Sequence, residues 1–179
     1  MTPLDDVRAH VQSRLVPAPA VTVPFTESAG LFFFADVTAT ENVPPFDNTA
    51  VDGYAVIAAD TAGAPVELRV SGEMAAGAAH VDEVTAGCAV RIMTGAPLPR
   101  GCDAVVMVED TERLGEDGVR VMWPVKPGDG IRRAGSDVNS GETPLRAGTV
   151  VTPAVQAVLA TLNAREVSVW PRPRVGVLS

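Results

Sequence analysis

Glycine and proline constrain what this chain folds into more than any other feature of its sequence. The 179 residues include 16 glycines and 15 prolines, which recur at short intervals. Both residues favour turns, because glycine adopts φ values that strain other residues, whereas proline fixes φ and lacks a backbone N–H donor. The pattern therefore predicts short strands joined by turns. Aromatic residues make up only 4% of the chain, so its core must consist mainly of Val, Leu, Ile and Ala.

Helical periodicity predicts one helix near each end of the chain. Near the N-terminus, four apolar residues fall on one helical face before Pro17 ends the segment. They are Leu4, Val7, Val11 and Leu15. Near the C-terminus, Thr152 caps a helix that opens with Pro153 and stops at Asn163, a residue that tolerates the left-handed conformation. Residues 27–37 are predicted to form a third, shorter helix.

Alternating apolar and polar residues predict a β-rich unit from residue 47 to residue 131. Within it, residues 66–70 and 119–123 alternate, and residues 103–108 form a nearly continuous apolar run. Such a unit is either a small β-barrel-like domain or a sandwich, and together with the helices it gives a mixed α+β class. Residues 174–179 have the pattern of a buried strand that opens an α/β domain, which indicates that the chain is a fragment.

Charge and apolar pattern argue against two classes of partner. The net charge is −8, so the composition offers no basic surface for nucleic acid, and we expect no nucleic-acid partner. Uninterrupted apolar runs such as residues 31–35 fall far short of the roughly 20 residues that a membrane span needs. We therefore expect no membrane partner and a cytoplasmic location.

Asp52 and Thr94 each stand in a loop that is able to carry chemistry. Asp52 precedes Gly53 in a turn pattern, so we expect its carboxylate to be reachable by Mg²⁺, a cation that prefers oxygen ligands. Thr94 and Gly95 place a hydroxyl beside two unencumbered backbone N–H groups, a pattern that suits an oxyanion. Asp-Gly is also a common turn, and Thr-Gly-Ala-Pro a common loop, so spacing alone leaves both interpretations open.

A third loop carries two arginines and an aspartate. Arg132 and Arg133 supply fixed guanidinium forks that suit phosphate or carboxylate, and Asp137 follows closely. An Arg-Arg pair is also common on protein surfaces. These residues are candidates for anion binding, with the same ambiguity as the two other loops.

Four ordered motifs make the chain resemble the molybdopterin molybdotransferase family, which includes the E domain of gephyrin. The motifs are PFDNTAVDGYAV at residues 45–56, RIMTGAP at residues 91–97, GCDAVV at residues 101–106 and IRRAGSD at residues 131–137. Their order and spacing are similar to those of the family, and the resemblance covers essentially the whole chain. The last motif departs from the family pattern, because Ala134 and Ser136 stand where the family has arginine and glutamate.

The resemblance implies an organisation into domains. Residues 1–46 and 132–172 correspond to an elongated helix-and-strand linker domain that also mediates dimerisation, and residues 47–131 to a small β-barrel-like domain inserted in it. Residues 173–179 correspond to the first strand of a truncated α/β domain that binds the pterin. Members of the family are dimers, so the resemblance also implies a homodimer partner chain.

The resemblance further implies a reaction: the insertion of molybdate into adenylylated molybdopterin, with Mg²⁺ as cofactor and loss of AMP, to form molybdenum cofactor. The full-length chain is then an enzyme, whereas we expect this fragment alone to be inactive. By position in the motifs, the catalytic residues are Asp52, Thr94 and Asp137, and Asp52 is also the Mg²⁺ ligand. The implied substrate-binding residues are Gly53, Tyr54, Gly95, Arg132 and Arg133.

Two other functions stay open at this point. A non-catalytic dimerising scaffold would keep the hydrophobic linker but would need neither Asp52 nor Thr94. A free-standing hydrolase would use paired carboxylates. Metal- and substrate-dependent activity of the full-length chain separates an enzyme from a scaffold, and activity of this fragment alone favours the hydrolase.

Overall fold

The computed structural model describes residues 2–77 and 83–177 of the chain. Within these residues lie two α-helices and eleven β-strands. In chain order they are α1 (Leu4–Gln12), β1 (Val21–Pro24), β2 (Phe32–Phe33), β3 (Asn48–Thr49), β4 (Gly53–Val56), β5 (Val66–Met74), β6 (Cys88–Ile92), β7 (Ala104–Met107), β8 (Thr111–Leu114), β9 (Gly118–Val121), β10 (Ile131–Arg132), α2 (Pro153–Thr161) and β11 (Glu166–Trp170). Neither helix has the length or the apolar character to cross a membrane. The predicted cytoplasmic location stays a prediction.

The chain divides into two compact units, and the mixed α and β class is confirmed. The flanking unit comprises Met1–Thr40 and Gly141–Ser179, and the central unit comprises Glu41–Ser140. The domain boundaries expected at residues 46 and 131 stay predictions. Residues 171–177 form neither helix nor strand, and residues 178–179 lie outside the described part. The expected strand at residues 173–179 therefore also stays a prediction.

The flanking unit is built around a three-stranded antiparallel sheet with strand order β1-β11-β2. Its core contains Phe33, Leu159 and Val169, all fully buried. Helix α2 begins where the Thr152 hydroxyl accepts a bond from the Val155 N–H, at 3.3 Å. The chain leaves this helix through Asn163, whose φ of 54° confirms the predicted left-handed stop. Helix α1 forms as predicted, but none of its residues is buried.

The helix predicted at residues 27–37 is wrong. The structure has a short 3-10 turn at Phe25–Glu27, then a glycine at φ 74°, then strand β2. Phe33 pairs with Val169 of β11, and its side chain is fully buried. This pairing with a strand more than 130 residues away supplies burial that a short local helix does not, so it overrides local propensity.

The central unit is built around a six-stranded sheet with strand order β7-β4-β6-β5-β9-β8. The inner strand β4 is buried on both faces. One face packs Tyr54 and Val56 against Val106 and Val119, and the opposite face packs Ala55 among buried residues of β6 and β7. The predicted apolar run at residues 103–108 is confirmed as β7. Ala104, Val105 and Val106 of β7 are all buried, so both faces of this outer strand are covered, which explains why this part of the sequence is nearly continuously apolar.

Strand β5 changes partners along its length and curls the sheet. It pairs antiparallel with β9 over residues 66–69 and parallel with β6 over residues 69–74. The register shifts between Val70 and Gly72, which marks a bulge. The result is a curled half-barrel, which has β7 and β8 as its outer strands. The barrel-like expectation is confirmed only in this coarser form.

A substitution at Gly53 tests how closely β4 approaches β7. A Cβ atom built on Gly53 overlaps the carbonyl oxygen of Val106, which is backbone and has little freedom to move aside. We expect Gly53→Ala to lower the free energy of unfolding by about 2 kcal/mol or more, the scale of an overpacked core. The measurement is urea denaturation followed by circular dichroism. Gly63→Ala is the matched control, because the added methyl group meets only Val66 at 3.8 Å. Equal midpoints for the two variants would contradict the packing role.

Candidate functional site

Strand β3 brings three of the four sequence motifs together in the central unit. On one side, Thr49 pairs with Ile131 and Asn48 pairs with Arg132 of β10. On the other side, the Thr49 N–H donates to the Ala96 carbonyl at 3.1 Å, and its carbonyl accepts from the Gly95 N–H at 3.0 Å. The loops that carry Asp52, Thr94 and Asp137 are therefore anchored to the same two residues of backbone.

The side chain of Thr49 shapes the turn that leads to Asp52. It is only 1% exposed. Its hydroxyl donates to the Val51 carbonyl at 2.6 Å and accepts from the Val51 N–H at 3.1 Å. The Asp52 carbonyl in turn accepts from the Val108 N–H at 3.0 Å. Backbone on both sides of the Asp52 side chain is thus fixed before any ligand binds.

Asp52 and Thr94 form the most defined contact of the site. One carboxylate oxygen of Asp52, Oδ1, accepts from the Thr94 backbone N–H and from the Thr94 hydroxyl, each at 2.7 Å. The backbone N–H and then the hydroxyl of Thr94, with the more distant charge of Arg91, lower the pKa of Asp52. Asp52 is therefore an anion at neutral pH, with a charge but no proton to offer.

The structure corrects one part of the interpretation of Thr94 and Gly95. Their N–H groups were expected to be unencumbered and ready to cradle an oxyanion. The Thr94 N–H instead donates to Asp52, and the Gly95 N–H donates to Thr49. Both donors are already used within the chain. The role of Gly95 as a substrate contact stays a prediction, but it does not rest on a free N–H group.

The two arginines of the last motif each contact an aspartate of the central unit. Arg132 pairs with Asp137, one of the three implied catalytic residues. Arg133 pairs with Asp47, which also accepts from the Ala134 N–H at 2.8 Å. That N–H first, and the Arg133 guanidinium second, lower the pKa of Asp47. The anion-binding role of both arginines stays a prediction, and the geometry shows that each already holds a carboxylate.

Gly53 and Tyr54 are placed beside this site but are largely buried. Gly53 is held by the close approach of β4 and β7. Tyr54 is 3% exposed, and its phenol oxygen accepts a hydrogen bond from Arg91 at 3.0 Å. Their substrate-binding role stays a prediction. Sequence reasoning missed Thr49, Asp47 and Arg91 as organising residues, although all three lie inside the matched motifs.

Charge is divided unevenly between the two units. Glu41–Ser140 contains sixteen acidic and eight basic residues, which accounts for the whole net charge of −8, whereas the flanking stretches hold six of each. Among residues 2–77 and 83–177, no group of three or more His, Cys, Asp or Glu side chains is placed to hold a metal ion. In this described part, the second carboxylate oxygen of Asp52, Oδ2, accepts no hydrogen bond and is open to a cation.

Comparison with known proteins identifies relatives. Residues 2–163 match the family model described as the MoeA N-terminal region, domains I and II. Molybdopterin molybdenumtransferase 2 of Mycobacterium tuberculosis is 47% identical over 163 residues, which cover 89% of this chain and 40% of that protein. Molybdopterin molybdenumtransferase of Bacillus subtilis is 42% identical over 164 residues, which cover 88% of this chain and 38% of that protein.

A solved structure has the same fold. The molybdopterin biosynthesis moeA protein of Pyrococcus horikoshii OT3 superposes with a TM-score of 0.81 at 41% sequence identity, over 84% of this chain and 41% of that one. The chain therefore spans about two fifths of the length of the relatives that it matches.

The contact between Asp52 and Thr94 predicts how the carboxylate titrates. Thr94→Val removes the hydroxyl donor but keeps the backbone N–H, so the pKa of Asp52 should rise yet stay below its ordinary value of 3.8. Because the folded pKa is depressed, the stability that this contact contributes is present above about pH 4 and is lost as pH falls through the folded pKa. In the variant this contribution should therefore be smaller, and its loss should be complete at a higher pH.

The measurement is the carboxyl-carbon NMR shift of Asp52 as a function of pH, in the wild-type chain and in Thr94→Val. Thr161→Val is the control, since its hydroxyl bonds within helix α2 to the Ala157 carbonyl. An Asp52 titration that does not change in Thr94→Val would show that the hydroxyl contact is absent in solution.

Proposed function

The chain belongs to the MoeA N-terminal region family, and on this basis we propose that it is the N-terminal part of an enzyme that inserts molybdate into adenylylated molybdopterin. The product of this reaction is molybdenum cofactor, and AMP is released. The relatives named molybdopterin molybdenumtransferase support the proposal, since 47% identity extends over most of the chain. The chain spans less than half of each relative, so the proposed activity belongs to a longer protein.

The observation that carries this proposal is the pre-organised carboxylate of Asp52. Its backbone is fixed on both sides, and its Oδ1 atom is held by Thr94. A negative charge fixed in advance loses little conformational entropy when it meets a cation or a donor group of the substrate. A scaffold that only dimerises has no need of such a geometry, which disfavours that alternative.

The residues of this site supply part of a ligand set for Mg²⁺. Mg²⁺ prefers oxygen atoms and commonly binds one or two carboxylates together with substrate phosphates and water. Asp52 offers one such carboxylate through Oδ2, and within the described residues it belongs to no group of three or more His, Cys, Asp or Glu side chains that could hold a metal ion. The remaining ligands would be phosphate oxygens of the adenylylated pterin and water. When bound, the ion would neutralise negative charge that develops on the reacting oxygens.

The other implied catalytic residues have positioning roles in this proposal. Thr94 fixes the rotamer of Asp52 and keeps it ionised. Arg132 pairs with Asp137 next to β3, and this pair gives the substrate one cationic and one anionic group at a defined position. Substrate binding that displaces Asp137 from Arg132 would free the guanidinium for an oxyanion.

We also propose the domain organisation that the resemblance implies. The central unit would be the β-barrel-like domain, inserted into an elongated linker domain that the flanking unit represents. Two compact units, one of them built from both ends of the chain, support this arrangement. A pterin-binding α/β domain would complete the enzyme. The enzyme would be located in the cytoplasm.

The flanking unit exposes apolar side chains that support a homodimer. Phe32 is 51% exposed and Phe34 is 46% exposed, and Phe34 packs edge-on against Trp170. Helix α1 also exposes its whole apolar face.

We expect sedimentation equilibrium at tens of micromolar to give a dimer, because such surfaces are costly to leave in water. Phe32→Asp should shift the equilibrium towards monomer. Phe46→Asp, at a residue of the central unit that is 48% exposed, is the control. A wild-type monomer at this concentration would contradict the proposal.

The proposed reaction is tested by Asp52→Asn in the full-length enzyme. Asparagine keeps the volume and still accepts the Thr94 bonds, so the fold should survive, but the charge is lost. AMP release with molybdate, Mg²⁺ and adenylylated molybdopterin should fall by about tenfold or more. Asp60→Asn is the matched control, because Asp60 also accepts a backbone N–H, from Gly87 at 2.9 Å, but lies outside the motif loops. Turnover and Mg²⁺ dependence that are equal in both variants would return Asp52 to the role of a turn former.

A further inference from the structure

The central unit contains a cavity that none of the implied site residues except Tyr54 lines. Its volume is about 470 Å³, within the range of small-molecule sites. The less exposed residues of its lining include Tyr54, Arg91 and Met93, which we call the floor, and the exposed ones, which we call the rim, include Glu73 and the turn between β8 and β9. Met93 directly precedes Thr94, so the cavity adjoins the candidate site described above.

The cavity lies where β5 changes partners. Strand β5 pairs with β9 up to Arg69, the Val70 N–H still donates to the Asp117 carbonyl at 2.7 Å, and β5 then continues along β6 alone. The bulge between Val70 and Gly72 lies in the cavity wall. Bulges of this kind redirect side chains and occur often beside functional sites. The cavity therefore lies beside an irregularity of the strand pairing.

Arg91 and Tyr54 provide hydrogen-bond donors at the floor. They face each other across β4 and β6, the guanidinium carbon lies 5.2 Å from the ring centroid, and Nη1 donates to the phenol oxygen at 3.0 Å. This is the only hydrogen bond that the Arg91 guanidinium makes within the described residues. A guanidinium has five N–H donors, and a phenol that accepts one bond still has its own O–H to donate. The floor thus presents unused donors held in a fixed geometry.

The charged residues that line the cavity differ in their exposure. Arg91 is half-buried at the floor, whereas Glu73, Glu116 and Asp117 are exposed at the rim. Arg113 also stands at the rim, and its Nε donates to the Gly115 carbonyl. Exposed carboxylates are well hydrated, so their interaction with a bound ligand is strongly screened. A half-buried cation lies closer to a ligand in the cavity and is screened less. The floor therefore carries one positive charge, on Arg91, inside a unit that is acidic overall.

From these observations we propose that the central unit binds a small organic anion, whose phosphate or carboxylate oxygens sit on Arg91 and Tyr54. Planar guanidinium groups match both kinds of oxygen anion, and the volume exceeds that of a bare oxyanion, so an organic body fits towards the rim. The proposal concerns binding by this chain alone. It does not depend on the proposed transfer reaction, and either of the two could fail without the other.

The chain offers a direct probe, because Tyr54 is its only tyrosine. Incorporation of 3-fluorotyrosine gives one ¹⁹F NMR signal, located at the cavity floor. We expect this signal to shift saturably with inorganic phosphate, with acetate, or with both, at constant ionic strength set by chloride. The two arms distinguish phosphate from carboxylate recognition. A signal that responds to neither anion beyond the chloride reference would overturn the proposal.

Three variants assign the effect to the cavity. Arg91→Gln should weaken binding by about tenfold or more, the scale of a lost charged hydrogen bond. Arg69→Gln removes the same charge from the same unit, but at a residue that contacts Cys88 and does not line the cavity, and should leave the affinity unchanged. Glu73→Gln removes a rim carboxylate and should tighten binding by about twofold or more.

Equal losses in Arg91→Gln and Arg69→Gln would mean that only net charge matters, and the proposal would be wrong. If Arg91→Gln does not fold, Glu73→Gln decides the matter: tighter binding supports the site, and unchanged affinity rejects it.

Discussion

The backbone of Thr49 is the constraint on which the rest of the candidate site depends. Its N–H and its carbonyl bond to the turn at residues 94–97, while its pairing with Ile131 joins β10. Three stretches of chain that are far apart in sequence therefore meet at one short strand. Because these bonds are between backbone groups, they tolerate changes of side chain, which explains how the loops keep their places although Ala134 and Ser136 depart from the family pattern.

One way of fixing a loop occurs in both units. In the central unit, Asp47 accepts from the Ala134 N–H and from the preceding arginine. In the flanking unit, Asp36 accepts from the Ala147 N–H at 2.8 Å and from Arg146 at 3.0 Å. Each aspartate has a lowered pKa, first because of the backbone N–H and then because of the guanidinium. An Arg-Ala-Gly turn held by a distant carboxylate is thus a local solution that this chain uses twice.

The sequence predicted elements whose signals are local. Thr152 and Asn163 bound helix α2 as expected, because capping and the left-handed stop depend only on neighbouring residues. The segment at residues 27–37 could not be predicted in this way, since the burial of Phe33 depends on β11. For the same reason the apolar face of α1 correctly indicated a helix but not a core, as nothing in the residues states what covers that face.

In the candidate site, too, the sequence predicted residue types but not the contacts between them. The motifs identified Asp52 and Thr94, and the structure brings them into contact, but the sequence did not show that they bond to each other. The expectation of free N–H groups at residues 94 and 95 was wrong. Their acceptors lie more than 40 residues away in the sequence, so local spacing gives no sign of them. The pairing of Arg133 with Asp47 spans 86 residues and gives no signal in local spacing. Residue types are visible in the sequence, whereas their partners depend on the fold.

The uneven division of charge between the units bears on encounter kinetics. A free polyanion that diffuses towards Glu41–Ser140 meets net repulsion, so its association rate should rise with added salt, the reverse of electrostatic steering. The repulsion reaches only about 8 Å at an ionic strength of 0.15 M, so it acts on the last approach and not on long-range diffusion. An anion that arrives already paired with a divalent cation escapes this barrier. The net charge of this unit therefore disfavours the approach of a bare anion relative to one already paired with a divalent cation.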